Sequence, residues 1–205
     1  LITLLVFRLS TSTLGTSVTT MLLAGIAISA LAGAVNSLLS YFADNEMLRQ
    51  ISIWQMGNLS TANWARVSVV AVVAVFVLVL FPRESKSLNA LLLGESEARH
   101  LGIDVQRVKK KLILLTTLGI GTAVAVAGMI GFVGLIVPHM VRLLIGPDHR
   151  WLLPVSALAG GILLLIADTL ARVIIAPVEL PTGILTAILG APFFIMLLIQ
   201  QRREL

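Results

Sequence analysis

Between Val67 and Phe81 the chain carries one polar side chain, Ser68, in an otherwise unbroken run of Val, Ala, Leu and Phe. Similar apolar runs recur along the sequence, at about 18–42, 112–129, 135–145, 151–175 and 184–200. A helix needs roughly 20 mainly apolar residues to cross a bilayer. The chain has 205 residues, 58% hydrophobic and 12% charged, against about 25% charged in an ordinary soluble domain. Its mean hydropathy of +1.01 leaves too little polar surface to coat a soluble fold. The expected fold is all-α, a polytopic transmembrane bundle forming a single domain over 1–205.

The pass along the chain gives about six membrane spans. Residues 1–7 read as the tail of an earlier span, and Arg8 to Ser17 as a loop. The first complete span is Val18 to Phe42. Residues 44–63, with Asp44, Glu46, Arg49, Trp54 and Trp64 beside them, read as an interfacial segment, because Trp favours the headgroup level. Ala65–Phe81 is the second span. The longest polar stretch is 83–111. Leu112–Met129 is the third span, followed by a glycine-rich reversal at 128–134. Leu135–Ile145 is a short fourth span with Pro138, Trp151–Ile175 the fifth and Ile184–Gln200 the sixth. The leading Leu1 and the lack of a signal-like segment suggest the C-terminal part of something longer.

Lysine and arginine fall unevenly on the two sides. One set of loops holds Arg8, Arg83, Lys86, Arg99, Arg107, Lys109, Lys110, Lys111, Arg142, Arg150, Arg202 and Arg203. The other holds Arg49 and Arg66, with Arg172 near it. The positive-inside rule places the first set in the cytoplasm. The net charge of +5 therefore belongs to loops facing the cytoplasm rather than to a nucleic-acid surface.

No catalytic set emerges. GxxxxGK[ST], HExxH and GxSxG are absent, and there is no cysteine. His100, His139 and His149 have no metal-ligand spacing, so no metal and no cofactor are expected. Small residues recur at four-residue spacing: Gly25, Ser29 and Gly33; Gly119, Ala123, Ala127 and Gly131; Gly183, Ala187 and Ala191. Such stripes let helices approach closely in lipid.

Two places are more specific. Gly94 and Gly102 bracket a short amphipathic segment with Glu95, Glu97 and Arg99 around Ala98 and Leu101. It is either a docking knob for a soluble partner or a solvated connector. Asp168 and Arg172 lie four residues apart on one helix face. Counted from Arg150 at ~1.5 Å per residue, Arg172 lies about 33 Å across, at the outer interface. There it either satisfies Asp168 or is offered to an acidic partner.

Four stretches, LLLGESEARHLGID (91–104), AGMIGFVGLIVPHMVRLLIGPDHR (127–150), ADTLAR (167–172) and ELPTGILTAILGAPFFIMLL (179–198), resemble the FecCD-type permease subunits of ABC importers for haem, iron-siderophores and cobalamin. The resemblance implies the last six of about ten helices, in a multi-pass protein of the bacterial inner membrane. It implies these partners: a second permease subunit, usually identical; two ATP-binding cassette subunits; and a periplasmic substrate-binding protein. ATP hydrolysis would then lie with the ATP-binding subunits, so the permease itself is no enzyme. By the same resemblance Gly94, Glu95, Glu97, Ala98, Arg99, Leu101 and Gly102 form the ATPase-coupling helix. Arg172 meets a glutamate of the binding protein, and the first and last spans line the pathway. The wording of 88–112 and 127–150 is nearest to haem (hemin) permeases, ahead of ferric-siderophore and cobalamin ones. A rival from another class is an ion-coupled secondary transporter, which would want carboxylates at the midplane. Asp168, the acidic residue within a span, lies near the outer end instead.

Overall fold

A computed structural model describes residues 18–175, 177–178 and 180–203, with residues 3, 11–12 and 15–16 ahead of them. The expected span tail at 1–7 (Thr3 apart) and Arg8 lie outside the described residues, as do Ala176 and the Glu179 that opens the ELPTG stretch. The chain forms two compact units, 1–52 and 53–205.

In the first unit, Thr11–Ser12 (β1) and Gly15–Thr16 (β2) pair antiparallel, where the sequence suggested only a loop. Val18–Tyr41 forms α1. Its large apolar side chains, Leu22, Leu23 and Ile26 among them, are exposed. In water that would be a severe liability, whereas a lipid-facing helix requires it. Asn45–Met56 is the polar helix α2, whose residues from Ile53 on belong to the second unit; it is started by Asp44, whose carboxylate accepts the Met47 N–H at 2.8 Å.

The second unit carries the remaining helices. Trp64–Leu80 is α3, capped by Asn63, whose side chain accepts the Arg66 N–H. The polar stretch that follows is not a loose connector. It folds into a 3₁₀ turn at Pro82–Glu84, then α4 (Ser85–Leu91) and α5 (Glu95–His100). Its last residues enter α6 (Val105–Ala127), so the lysine cluster 109–111 is helical, two turns earlier than hydropathy alone suggested. Then come α7 (Val133–Ile145), α8 (His149–Val173) and α9 (Thr182–Arg203).

Among the described residues, four helical stretches are long and apolar enough to cross a membrane: Thr19–Tyr41, Trp64–Leu91, Val105–Ala127 and His149–Val173. One apolar helix expected to span is shorter, Val133–Ile145, while α9 runs for 22 residues and is apolar over Thr182–Leu197. The 13 residues of α7 reach only about 20 Å, short of the ~30 Å hydrocarbon core.

Packing in this unit centres on α8. Val137 and Val141 of α7 bury against Leu152, with Val133, Val155, Ala159 and Leu163 around them. Val77 of α3 lies against Gly119 of α6, 3.6 Å from where a Cβ would stand, which is the close approach the small-residue spacing promised. Gly131, assigned to the same stripe, lies beyond the end of α6 and is not on its face.

Candidate functional site

The polar stretch between α3 and α6 is tied down on three sides. Inside it, Ala90, Ala98 and Val105 form a small core with Leu91 and Ile103 against it. Lys109 on α6 pairs with Glu95 on α5, and Lys111 with Glu84 of the 3₁₀ turn. Arg99 lies 3.7 Å from Glu95 on the same helix. Exposed ion pairs of this kind stabilise little one by one, about 0–1 kcal/mol each, so their joint effect is to fix the position of α5 against α6. Asp104 starts α6 by accepting the Arg107 N–H at 3.1 Å.

The ends of α5 are set by two glycines. Gly94 has φ +111 and Gly102 φ +81, a left-handed region that side chains resist. The Gly102 N–H donates to the Arg99 carbonyl at 2.9 Å, and the Ile103 N–H to that of Ala98 at 3.1 Å. The reversal throws Leu101 outward, 64% exposed, while Ala98 is 0% exposed. Ala98, expected beside Leu101 on the presented face, therefore packs inward: with Glu95 at the start of the helix, position 98 turns toward Ala90 and Val105. The presented face is Leu101 with Glu97 and Arg99.

A third fastening escaped the sequence reading. Asn89 of α4 reaches the turn before α8. Its Oδ1 accepts the His149 backbone N–H at 2.9 Å and lies 2.8 Å from His149 Nδ1. An amide oxygen can only accept, so Nδ1 carries the proton. The Asn89 Nδ2 donates to Asp148 Oδ1 at 2.6 Å. Asp148 also caps α8 by accepting the Arg150 N–H at 2.9 Å. That N–H first, and the Asn89 amide second, hold the Asp148 carboxyl below its ordinary range. A lone Asn in a polar stretch carries no spacing signal that would have found it.

At the other end of α8, Arg172 Nε donates to Asp168 Oδ2 at 2.8 Å, while the Arg172 side chain stays 44% exposed. The second carboxylate oxygen, Oδ1, accepts the hydroxyl of Thr182 at 2.9 Å. Thr182, the first residue of α9, is 1% exposed, where the sequence suggested an outer-loop position open to solvent. Beside it three chain segments meet through backbone. The Gly183 N–H donates to the Gly57 carbonyl at 3.1 Å, the Asn58 N–H to that of Ala127 at 2.8 Å and the Met129 N–H to that of Trp54 at 3.3 Å. No Cβ fits there: one on Gly183 would lie 2.0 Å from the Met56 oxygen, and one on Gly128 2.1 Å from the Trp54 oxygen.

Among the described residues no group of His, Asp or Glu could hold a metal ion. His139 lies edge-on to Phe193.

The profile of the FecCD transport family matches residues 1–200. The chain belongs to that family. Among its FecCD relatives, the hemin transport system permease protein HmuU of Yersinia pestis is 50% identical over 184 residues, covering 90% of this chain and 55% of the relative. The vitamin B12 import system permease protein BtuC of Vibrio cholerae is 46% identical over 182 residues, covering 88% of this chain and 54% of the relative. This FecCD chain thus spans about half the length of the curated relatives it matches. Among solved structures, a chain of a metal-chelate type ABC transporter in an inward-facing conformation superposes with a TM-score of 0.88 at 36% identity, covering 97% of this chain and 63% of that one.

Proposed function

We propose that the chain is the pathway-forming C-terminal part of a permease subunit in an ATP-driven importer, and that its substrate is haem. The observation that carries the reading is the segment from Gly94 to Gly102: a short helix ended by a left-handed glycine, braced by Lys109 and by the Ala90–Ala98–Val105 core, with Leu101 projecting. Such a knob fits a groove on a moving partner. In this reading the partner is an ATP-binding subunit. Its closure on ATP pushes α5, and α4 passes the push to α8 through Asn89. The helices then rearrange between two accessible states, and hydrolysis stays with the partner. Arg172, exposed at the outer rim, docks a glutamate of a periplasmic binding protein. A second, identical permease completes the pathway in the bacterial inner membrane.

Haem is favoured by the 50% identity to a hemin permease. Cobalamin is the second reading, on the strength of relatives named for vitamin B12 at 46% identity. The test is the full-length permease with its ATP-binding subunits in proteoliposomes, given binding protein loaded with hemin or with cyanocobalamin. Hemin uptake driven by ATP, with none of cyanocobalamin, is expected; the converse selects the second reading. Leu101→Asp or Gly102→Val should abolish uptake while the permease still inserts. Normal uptake by both variants would reduce the segment to a connector.

A further inference from the structure

Asp168 has two donors on its carboxylate among the described residues, and they come from different helices. Arg172 supplies one from α8, at the exposed rim; Thr182 supplies the other from the buried start of α9. The residue after Thr182 donates its N–H to Gly57, inside the junction that also holds Trp54, Ala127 and Met129. The rim guanidinium is therefore joined to the start of α9 by one carboxylate and one hydroxyl. From there a single peptide leads into the junction of three segments.

We propose that Thr182 is a positioning residue that passes the state of the rim pair to α9. The physical basis is competition for one guanidinium. When an outside carboxylate engages Arg172, Asp168 shares or loses its charged donor. The Thr182 hydroxyl then becomes its main remaining hydrogen-bond partner, in a setting where a charge without donors is costly. The bond to Thr182 tightens, and because Gly183 is hydrogen-bonded and Cβ-excluded, the adjustment reaches α9 and the Gly57–Gly128–Gly183 junction rather than dissipating in a loop. This rests on the docking reading of Arg172 given above.

The discriminating substitutions are Thr182→Val, which keeps shape and removes the hydroxyl, and Thr182→Ser, which restores it. They are made in the full-length permease, assembled with its ATP-binding subunits in lipid nanodiscs. Affinity for the binding protein, basal ATPase rate and ATPase rate with saturating binding protein are measured, alongside Arg172→Ala. Thr182→Val should keep a near wild-type basal rate, weaken docking because Asp168 then has one donor fewer when Arg172 is engaged, and at saturating binding protein lose about tenfold of the stimulated increment, the scale of one hydrogen bond to a charged group; Thr182→Ser should recover both. Arg172→Ala should lower affinity itself. Full stimulation in Thr182→Val, or a proportional fall in basal and stimulated rates that Thr182→Ser does not repair, would overturn the proposal while leaving docking intact. Unchanged affinity in Arg172→Ala would overturn the docking reading and the proposal with it.

Discussion

Asn89 and His149 are 60 positions apart in the chain, yet the backbone N–H of His149 donates to Asn89 Oδ1 at 2.9 Å. This bond, with the 2.6 Å bond from Asn89 to Asp148, joins the polar stretch after α3 directly to the first turn of α8. In the coupling proposed above, a push on α5 would reach α8 through α4 without passing along the whole of α6.

Asn89→Ala removes all three contacts and leaves the His149 N–H without its side-chain acceptor, while Asp148 still caps the Arg150 N–H. A cost of roughly 1–3 kcal/mol in stability is expected, together with ATP turnover that no longer drives uptake. Asn89→Asp keeps the acceptor for His149 but places a second carboxylate beside Asp148, so it should be intermediate. Thermal unfolding of the purified permease measures the first effect, and the ratio of uptake to ATP hydrolysed measures the second. Coupled transport in Asn89→Ala would show that the joint is only structural.

Asp148 gives the joint a pH signature. Its folded carboxyl titrates below the ordinary value, because the Arg150 N–H and then the Asn89 amide favour the ionised form. A depressed carboxyl contributes stability that is present above the unfolded value, about 3.9, and is lost as pH falls through the folded one. The difference in melting temperature between wild type and Asp148→Ala should hold steady from pH 7 to about 5 and shrink below about 4. A difference that stays constant into acid would remove the charge from the explanation.

The sequence made the large features legible because lipid imposes a length and a polarity that hydropathy reports directly. The apolar run around Val72 and the spacing of Gly119, Ala123 and Ala127 needed no tertiary information. Gly102 was legible as a helix stop, because a left-handed residue has few candidates. What stayed hidden was every partner chosen by the fold. Asn89 and Thr182 look like ordinary polar residues until the chain brings Asp148 and Asp168 to them. Ala98 was misplaced because, in a six-residue helix, the side that faces inward is set by Ala90 and Val105, not by any period within the helix. The brevity of α7 was visible in the apolar run of 135–145, but such a run does not say whether the backbone crosses or stops partway.

Orientation is open to direct labelling, because these 205 residues hold no cysteine and a single one introduced among them reports its own position. The Lys/Arg asymmetry predicts that cysteine at Asn45 or Val178 is labelled by an impermeant maleimide added outside intact cells, and that cysteine at Leu93 is not. Val178 and Leu93 are suited to this, at 64% and 67% exposed, whereas Thr182 and Ser85 are too buried to report. External labelling at Leu93 would invert the topology and remove α5 from any cytoplasmic partner.

The last prediction concerns the backbone junction of Gly57, Gly128 and Gly183. Gly57 and Gly128 have φ of +73 and +75, so a side chain at either would be strained even in open space. Gly183 lies in the first turn of α9; its constraint is room alone, with the Met56 oxygen 2.0 Å from a would-be Cβ. That oxygen is backbone and cannot rotate away. Gly183→Ala must therefore push α9 off the Trp54–Asn58 segment and weaken the Gly183–Gly57 bond. Overpacking of this kind costs typically 1–3 kcal/mol. Gly25 and Gly33 of α1 provide the comparison, since a Cβ on either meets nothing within 4 Å. Alanine there should leave the melting temperature unchanged or raise it slightly, because glycine inside a helix is about 1 kcal/mol less favourable than alanine. The three single variants, compared by thermal unfolding in one detergent, should give a clear loss for Gly183→Ala alone. Equal tolerance at all three would mean that the close approach at Gly183 is relieved by a small shift of the chain, and that the junction is not a rigid point in the fold.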